Sequence, residues 1–277
     1  MPQSELIVNH YTRGSLLAAI GQGLAKLGKS PGDATVEDLG PVDEFHIGGR
    51  AATERLLDQL AIANHHQVLD VGCGLGGASR FAAQRYGCRV TGIDITPEYV
   101  ETGGELCAWV GLAEYVDLRQ GDATALPWTD ARFHRAYMIH VGMNIVDKFR
   151  LAQELYRVLH SGAKLGIYDV MATGDGELAF PVPWATTPEG SAVASPQTYR
   201  QALETAGFRL VAEENRREFA LEFFARQRAR LARAGEPSPL GIHLLMGATT
   251  PAKIDNILTN IAQQRLAPVE LIAEKPG

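Results

Sequence analysis

Asp70-Val71-Gly72-Cys73-Gly74-Leu75-Gly76-Gly77 is the stretch that decides the fold of this chain. A β-rich run, Gln67-Val68-Leu69-Asp70-Val71, leads into it, and a helical pattern over residues 80–86 follows it. Glycines at a strand-to-helix turn let backbone approach a ligand closely, and the helix start beyond them presents free N–H groups. A small-ligand site at a strand end is therefore expected. Taken alone the string is ambiguous, because Gly72, Gly74 and Gly77 also satisfy the G-x-G-x-x-G dinucleotide pattern, with Asp94 at a suitable distance for a ribose-binding acid.

Working outward, short apolar runs alternate with helical stretches, which is the mark of βαβ units around a parallel sheet. Residues 89–94 form the second run, with Thr96 as N-cap and Pro97 at the first helical position. A weaker strand covers residues 116–120. Residues 135–139 and 164–169 follow as strands, separated by a helix over 148–159 and the turn Ser161-Gly162. Ser195-Pro196 starts a helix that Gly207 ends, and residues 208–213 and 269–274 read as further strands. The expectation is an α/β fold, a doubly wound and mostly parallel seven-stranded sheet with an inserted helical cap. Residues 1–52 would be an N-terminal helical lid segment, 53–217 and 268–277 the core, and 218–267 the cap insertion, with helices over 218–234 and 250–265. The Pro/Gly/Trp segment 172–194 is long for a plain connection, and such loops are usually functional or mobile.

Composition narrows the function. The 277 residues are 45% apolar and 21% charged, an ordinary globular mix that excludes a disordered chain. A net charge of −6 lacks the positive field needed to track phosphates, so nucleic acid is not an expected partner. Cys73, Cys88 and Cys107 are odd in number without C-x-x-C spacing, which gives no metal site and points to a reducing cytoplasm. No apolar run approaches the ~20 residues that span a bilayer, and the N-terminus lacks signal-peptide order, so no membrane partner is expected. Leu16, Ile20, Leu24 and Leu27 repeat at helical spacing as a packing face.

Two features separate the ligand readings. Asp70 lies two residues before the first glycine, where it would repel a pyrophosphate but welcome a zwitterionic cofactor with an ammonium and a sulfonium. Gly121-Asp122-Ala123 sets another acid after the third strand, at the edge where open α/β sheets bind ligands. No tyrosine has a lysine four residues after it, so the usual pair of short-chain dehydrogenases is missing.

Asp70-x-Gly72-x-Gly74-x-Gly76, Asp94, the segment Gly121-Asp122-Ala123-Thr124-Ala125-Leu126-Pro127-Trp128 and the segment Leu155-Tyr156-Arg157-Val158-Leu159-His160-Ser161-Gly162 together resemble the class I methyltransferases. Within that group the chain resembles the ubiquinone-biosynthesis-type and sarcosine/dimethylglycine-type small-molecule enzymes. The resemblance implies a Rossmann-like methyltransferase fold and S-adenosyl-L-methionine as cofactor, with transfer to an O or N nucleophile of a small-molecule acceptor. It places Asp70, Gly72, Gly74 and Gly76 against the methionine part, Asp94 on the ribose hydroxyls, Ile95 on the adenine face, and Asp122 with the Ala123 backbone at the adenine edge. Phe45-His46-Ile47-Gly48-Gly49 is similar to a His-x-Gly-Gly segment that lies near the transferred methyl in this subgroup, which makes His46 a catalytic candidate. A nicotinamide-dependent oxidoreductase and a non-catalytic cofactor-binding module of the same fold are the competing readings.

Methyl transfer asks the protein mainly for alignment and exclusion of water, and for a base only when the nucleophile carries a proton. His140 follows the fourth strand and has a pKa range suited to that task. Related enzymes often have a histidine where this chain has Asn144. Tyr11, Asn144, Tyr168, Trp184 and His243 are the expected substrate-binding residues. His65, His66, His134 and His160 fall in surface-like turns and receive no role. Phe219, Phe223, Phe224, Leu240, Leu244, Leu245 and Met246 would form an apolar wall over the acceptor, favouring a neutral compound; a carboxylate would need Arg216, Arg217 or Lys253. The competing account makes these apolar residues a homodimer interface.

Overall fold

The computed structural model describes residues 3–235 and 238–277; Met1 and Pro2 of the expected lid, and Glu236 and Pro237 of the expected insertion, lie outside the described residues. Four helices precede the sheet: α1 (Gln3–Tyr11), α2 (Leu16–Lys26), α3 (Val36–Asp43) and α4 (Arg50–Asp58). The alternating part runs β1 (Gln67–Val71), α5 (Gly77–Tyr86), β2 (Arg89–Asp94), α6 (Pro97–Trp109), β3 (Val116–Gln120), β4 (Phe133–Ile139), α7 (Lys148–Val158), β5 (Leu159–Ala172), α8 (Pro196–Ala206) and β6 (Arg209–Asn215). Then come α9 (Arg217–Ala234), α10 (His243–Met246), α11 (Thr250–Ala262) and β7 (Leu266–Glu274).

The seven strands lie in the order β3-β2-β1-β4-β5-β7-β6, and β7 alone runs antiparallel to its neighbours. Strand order reverses between β1 and β4, and ligands of open α/β sheets bind outside the carboxyl ends at such a point. Both faces of the sheet are covered, which is why its central strands read as continuous apolar runs. On one face Leu69, Val71, Met138 and Ile167 pack on Leu151 and Leu155 of α7 and Leu203 of α8. On the other, Val68, Tyr137 and Tyr168 pack on Leu56 of α4 and Ala82 of α5. Each such burial is worth roughly 1.5–3 kcal/mol per large side chain.

Several local expectations are met and others are corrected. Gly207 ends α8 in the left-handed region with φ 106°, as a C-cap should. Thr96 is at the N-cap of α6, yet its side chain makes no cap bond; the Asp94 carboxylate accepts from the Thr96 N–H instead. The turn at Ser161-Gly162 is absorbed into β5 as an irregularity, where β4–β5 register jumps between Phe133 and Arg135. Leu27 lies beyond the end of α2 and is exposed, while Leu16, Ile20 and Leu24 are buried with Leu39, Val42 and Leu240.

The inserted helices pack at the carboxyl end of β5, but apart from Leu245 the expected apolar wall does not line the cavity described below. Ala220 and Phe224 of α9 and Ile257 and Ile261 of α11 are buried against Val170 of β5, Leu266 of β7, Val182 and Trp184. Segment 172–194 is likewise held in that cluster, with Val182 and Ala185 paired in an isolated bridge.

Candidate active site

A cavity of about 460 Å³ opens at the carboxyl ends of β1, β2 and β4. Its floor is the β1–α5 turn. Gly72 has φ 68°, and a Cβ placed there would stand 2.3 Å from Val141 Cγ2, so only glycine fits. Gly74 has φ 53°, and the nearest atom to a Cβ there is Tyr99 Cδ2 at 3.9 Å, so this position faces open space in the cavity lining. Gly72 and Cys73 N–H groups both donate to the Ile93 carbonyl, at 2.7 and 3.0 Å, which ties the turn to β2. Gly76 stands at the N-cap of α5, outside the lining, and shapes the turn rather than the cavity.

Asp94, Ile95, Asp122 and Ala123 all line the cavity. Asp94 Oδ2 accepts from the Gly74 N–H and Oδ1 from the Thr96 N–H, both at 2.9 Å. Asp122 Oδ1 accepts from the Thr124 N–H at 2.8 Å and its hydroxyl at 2.7 Å. Asp122 thus caps its own loop and Asp94 ties its loop to the glycine turn, and a carboxylate has about four acceptor sites, so each keeps lone pairs for a ligand. Asp70 is buried in the lining, and its Oδ2 accepts from Ser79 Oγ at 2.6 Å and Tyr137 OH at 3.1 Å. Burial pushes its pKa up to about 7 against those two bonds. A cation docked beside it would restore the charge.

The other end of the cavity is assembled from distant segments. Ser4, Ile7 and Tyr11 come from α1, Val42 and Asp43 from the end of α3, Phe45 and His46 from the following loop, and Leu245 from α10. His140 and Asn144 follow β4, and Asn144 Nδ2 donates to Tyr11 OH at 3.3 Å. His140 takes φ 54°, a conformation uncommon for a non-glycine residue and therefore specified by its surroundings. Its ring centroid lies 5.9 Å from that of His46 and 5.2 Å from that of Tyr168. Burial lowers the pKa of His46 and drives that of His140 well below the usual histidine value, which favours the neutral form of both rings.

Three expected substrate contacts are not in the lining. Tyr168 is buried in β5 beside His140, with its ring in the core between sheet and α4. Trp184 is buried against the insertion, where its indole N–H donates to Ser191 Oγ at 2.9 Å. His243 begins α10, from which Leu245 alone reaches the cavity. Of the expected apolar wall, likewise only Leu245 lines it; Phe219 packs against Gly48 beneath Arg216 instead. Arg216, Arg217 and Lys253 are outside the lining, and no lysine or arginine is among the described residues that form it. His66, expected at the surface, is buried and stacked on His134 at 5.2 Å, at the amino end of β1 and β4 and away from the cavity. Among the described residues no His/Cys/Asp/Glu group is arranged to hold a metal ion, and no helix is long and apolar enough to cross a membrane.

Two acids were missed from the sequence although they directly precede His46. Glu44 forms an ion pair with Arg50, and its Oε2 lies 3.3 Å from His46 Nε2. Asp43 accepts from Arg80 Nη2 at 2.6 Å, with both side chains fully buried, while Arg80 Nη1 donates to the Leu75 carbonyl at 2.7 Å. The end of α3 and the glycine turn are thereby clamped together.

Comparison with known proteins agrees with this geometry. Residues 68–162 match the family described as a methyltransferase domain. The methyltransferase GfsG of Streptomyces halstedii is 31% identical over 137 residues, 50% of this chain and 49% of that protein. The chain spans about half the length or less of the curated relatives it matches first. Among solved structures, geranyl diphosphate C-methyltransferase from Streptomyces coelicolor A3(2) aligns with TM-score 0.71 at 16% identity over 99% of this chain and 98% of that one. The [4+2]-cyclase SpnF aligns with TM-score 0.70 at 21% identity over 99% and 97%. At these identities the structures speak for the fold. The domain match and the ordered motifs at the sheet edge identify residues 68–162 as a methyltransferase domain.

Proposed function

We propose that the chain methylates an O or N nucleophile of an uncharged small molecule, and that it belongs to the ubiquinone-biosynthesis-type and sarcosine/dimethylglycine-type subgroup. The observation that carries this reading is the continuity of one cavity from the Asp70–Gly74 turn and Asp94 to the facing rings of His46 and His140. The residues present fit the cofactor: a turn that opens at Gly74, a buried acid at Asp70 for an ammonium, and outward lone pairs on Asp94 for a diol. When bound, it supplies an electrophilic methyl on a good leaving group. The chain's own part is to align the acceptor, exclude water and receive its proton.

Lack of a cationic side chain in the described lining supports an uncharged acceptor, since a carboxylate or phosphate there would be desolvated without a partner. Asp70 disfavours a nicotinamide dinucleotide, whose pyrophosphate would meet it at the turn. The fold also hosts a cyclase, so transfer itself must be tested. Methyl-labelled S-adenosylmethionine incubated with the protein and a fractionated metabolite extract should give a labelled, uncharged product. Tight cofactor binding with no labelled product in any fraction would favour the non-catalytic module.

A further inference from the structure

The two histidines that face each other in the cavity are not equivalent, and the difference names a base, resting on the methyl-transfer reading above. His46 Nε2 lies 3.1 Å from the Gly49 carbonyl, 3.0 Å from Thr53 Oγ1 and 3.3 Å from Glu44 Oε2. Carbonyl and carboxylate only accept, and Thr53 commits its own proton to Glu44 Oε2 at 3.0 Å, so all three oxygens are acceptors towards the ring. Nε2 therefore carries the hydrogen. In a neutral imidazole the lone pair is then left on Nδ1, on a ring that lines the cavity. Glu44 is in turn held by Arg50 Nε at 2.5 Å from Oε1, and its side chain is only 8% exposed.

His140 has no such support. Its Nε2 is buried without a hydrogen-bond partner, and a charge on His46 would oppose one on His140. An imidazolium at His140 would be buried and unpaired, a costly arrangement, whereas one at His46 would lie against a carboxylate.

We propose that His46 is the general base of the transfer and that Glu44 is its positioning residue, fixing the Nε2–H tautomer and stabilising the imidazolium that forms. The nucleophile's proton passes to Nδ1 of His46 while its lone pair bonds to the methyl carbon. The carbon–sulfur bond breaks with its electron pair remaining on sulfur, and the imidazolium later returns its proton to solvent. His140 stays uncharged. Burial keeps His46 in the basic form before the reaction; Glu44 favours its protonation, and Arg50 opposes it, as would a charged His140.

Nitrogen-15 histidine NMR on the intact protein tests this, with the His46 signals assigned by their loss in His46→Gln. Wild-type His46 is expected as the Nε2–H tautomer. In Glu44→Gln it should keep that tautomer and titrate at a pH lower by about one unit or more, the usual effect of removing an adjacent opposite charge. An Nδ1–H tautomer, or the same titration in both proteins, would overturn the proposal; the tautomer alone decides if Glu44→Gln does not fold. With the acceptor found by labelling, His46→Gln should lower kcat by roughly 10²–10⁴-fold at unchanged cofactor affinity. The acid limb of the pH profile should move down in Glu44→Gln, with partial rescue in Glu44→Asp. A near-normal kcat in His46→Gln together with loss in His140→Gln would reverse the assignment. Failure to bind S-adenosylmethionine sinks the transfer reading instead, and the tautomer measurement, made without cofactor, keeps the two failures apart.

Discussion

The two ends of the cavity are built by different means. At the cofactor end, Asp70, Gly72, Gly74, Asp94 and Asp122 each lie at or within a few residues of the end of a strand, and backbone N–H groups fix Asp94 and Asp122 in place. At the acceptor end, Tyr11, His46, His140 and Leu245 come from four segments spread over most of the chain and meet through side chains. A backbone-built site is set by the fold. A side-chain-built site can change without disturbing the sheet, which is how one cofactor end serves many acceptors.

Separating the ends should have the largest effect. Arg80→Ala leaves Asp43 as an uncompensated buried charge between α3 and the turn, and breaking such a pair costs about 3–5 kcal/mol. Denaturant unfolding should report a loss of that size, and a loss below about 1 kcal/mol would mean that the two ends are not clamped there. Gly74→Val puts a branched residue at φ 53°, at a strain of about 1–2 kcal/mol, and points it into the cavity. Normal circular dichroism with cofactor binding lost is the expected pair of results.

A pH dependence sharpens the comparison at the cofactor end. The folded pKa of Asp70, about 7, lies above the ordinary carboxylate value, so the folded state binds the extra proton. Its contribution to stability is fully present below about pH 4 and is lost as pH rises through 7. Asp169, pushed up to about 6 by burial, adds to the same slope. Melting temperature without cofactor should therefore fall between pH 5 and 7.5, and less steeply in Asp70→Asn; equal slopes would remove the assignment. The smallest effect is expected at the acceptor end. Tyr11→Phe deletes the hydroxyl that receives the Asn144 amide, worth about 0.5–1.5 kcal/mol. It should raise KM for the acceptor and leave cofactor affinity unchanged.

That contrast also explains what was legible in the sequence. Strand runs, the glycine turn and the acids after β2 and β3 are local patterns, and every cofactor residue expected from them except Gly76 lines the cavity. Tyr168 and Trp184 were misplaced because an aromatic near a strand end or in a Pro/Gly segment reads the same whether it faces ligand or core. The insertion's apolar residues carry no sign of which surface they cover, and β5, β7 and Trp184 claimed them. Asp43 and Glu44 went unread because their meaning depends on Arg80 and His46, the first of them 37 residues away from Asp43.

Calorimetric titration of S-adenosylmethionine into wild type, Asp94→Ala and Tyr11→Phe tests the division of the cavity most directly. One site per chain is expected in wild type, an equal affinity in Tyr11→Phe, and a loss of roughly 1.5–3 kcal/mol in Asp94→Ala, as for removal of a hydrogen bond to a charged group. Equal affinity in wild type and Asp94→Ala, or no binding to wild type, would contradict it.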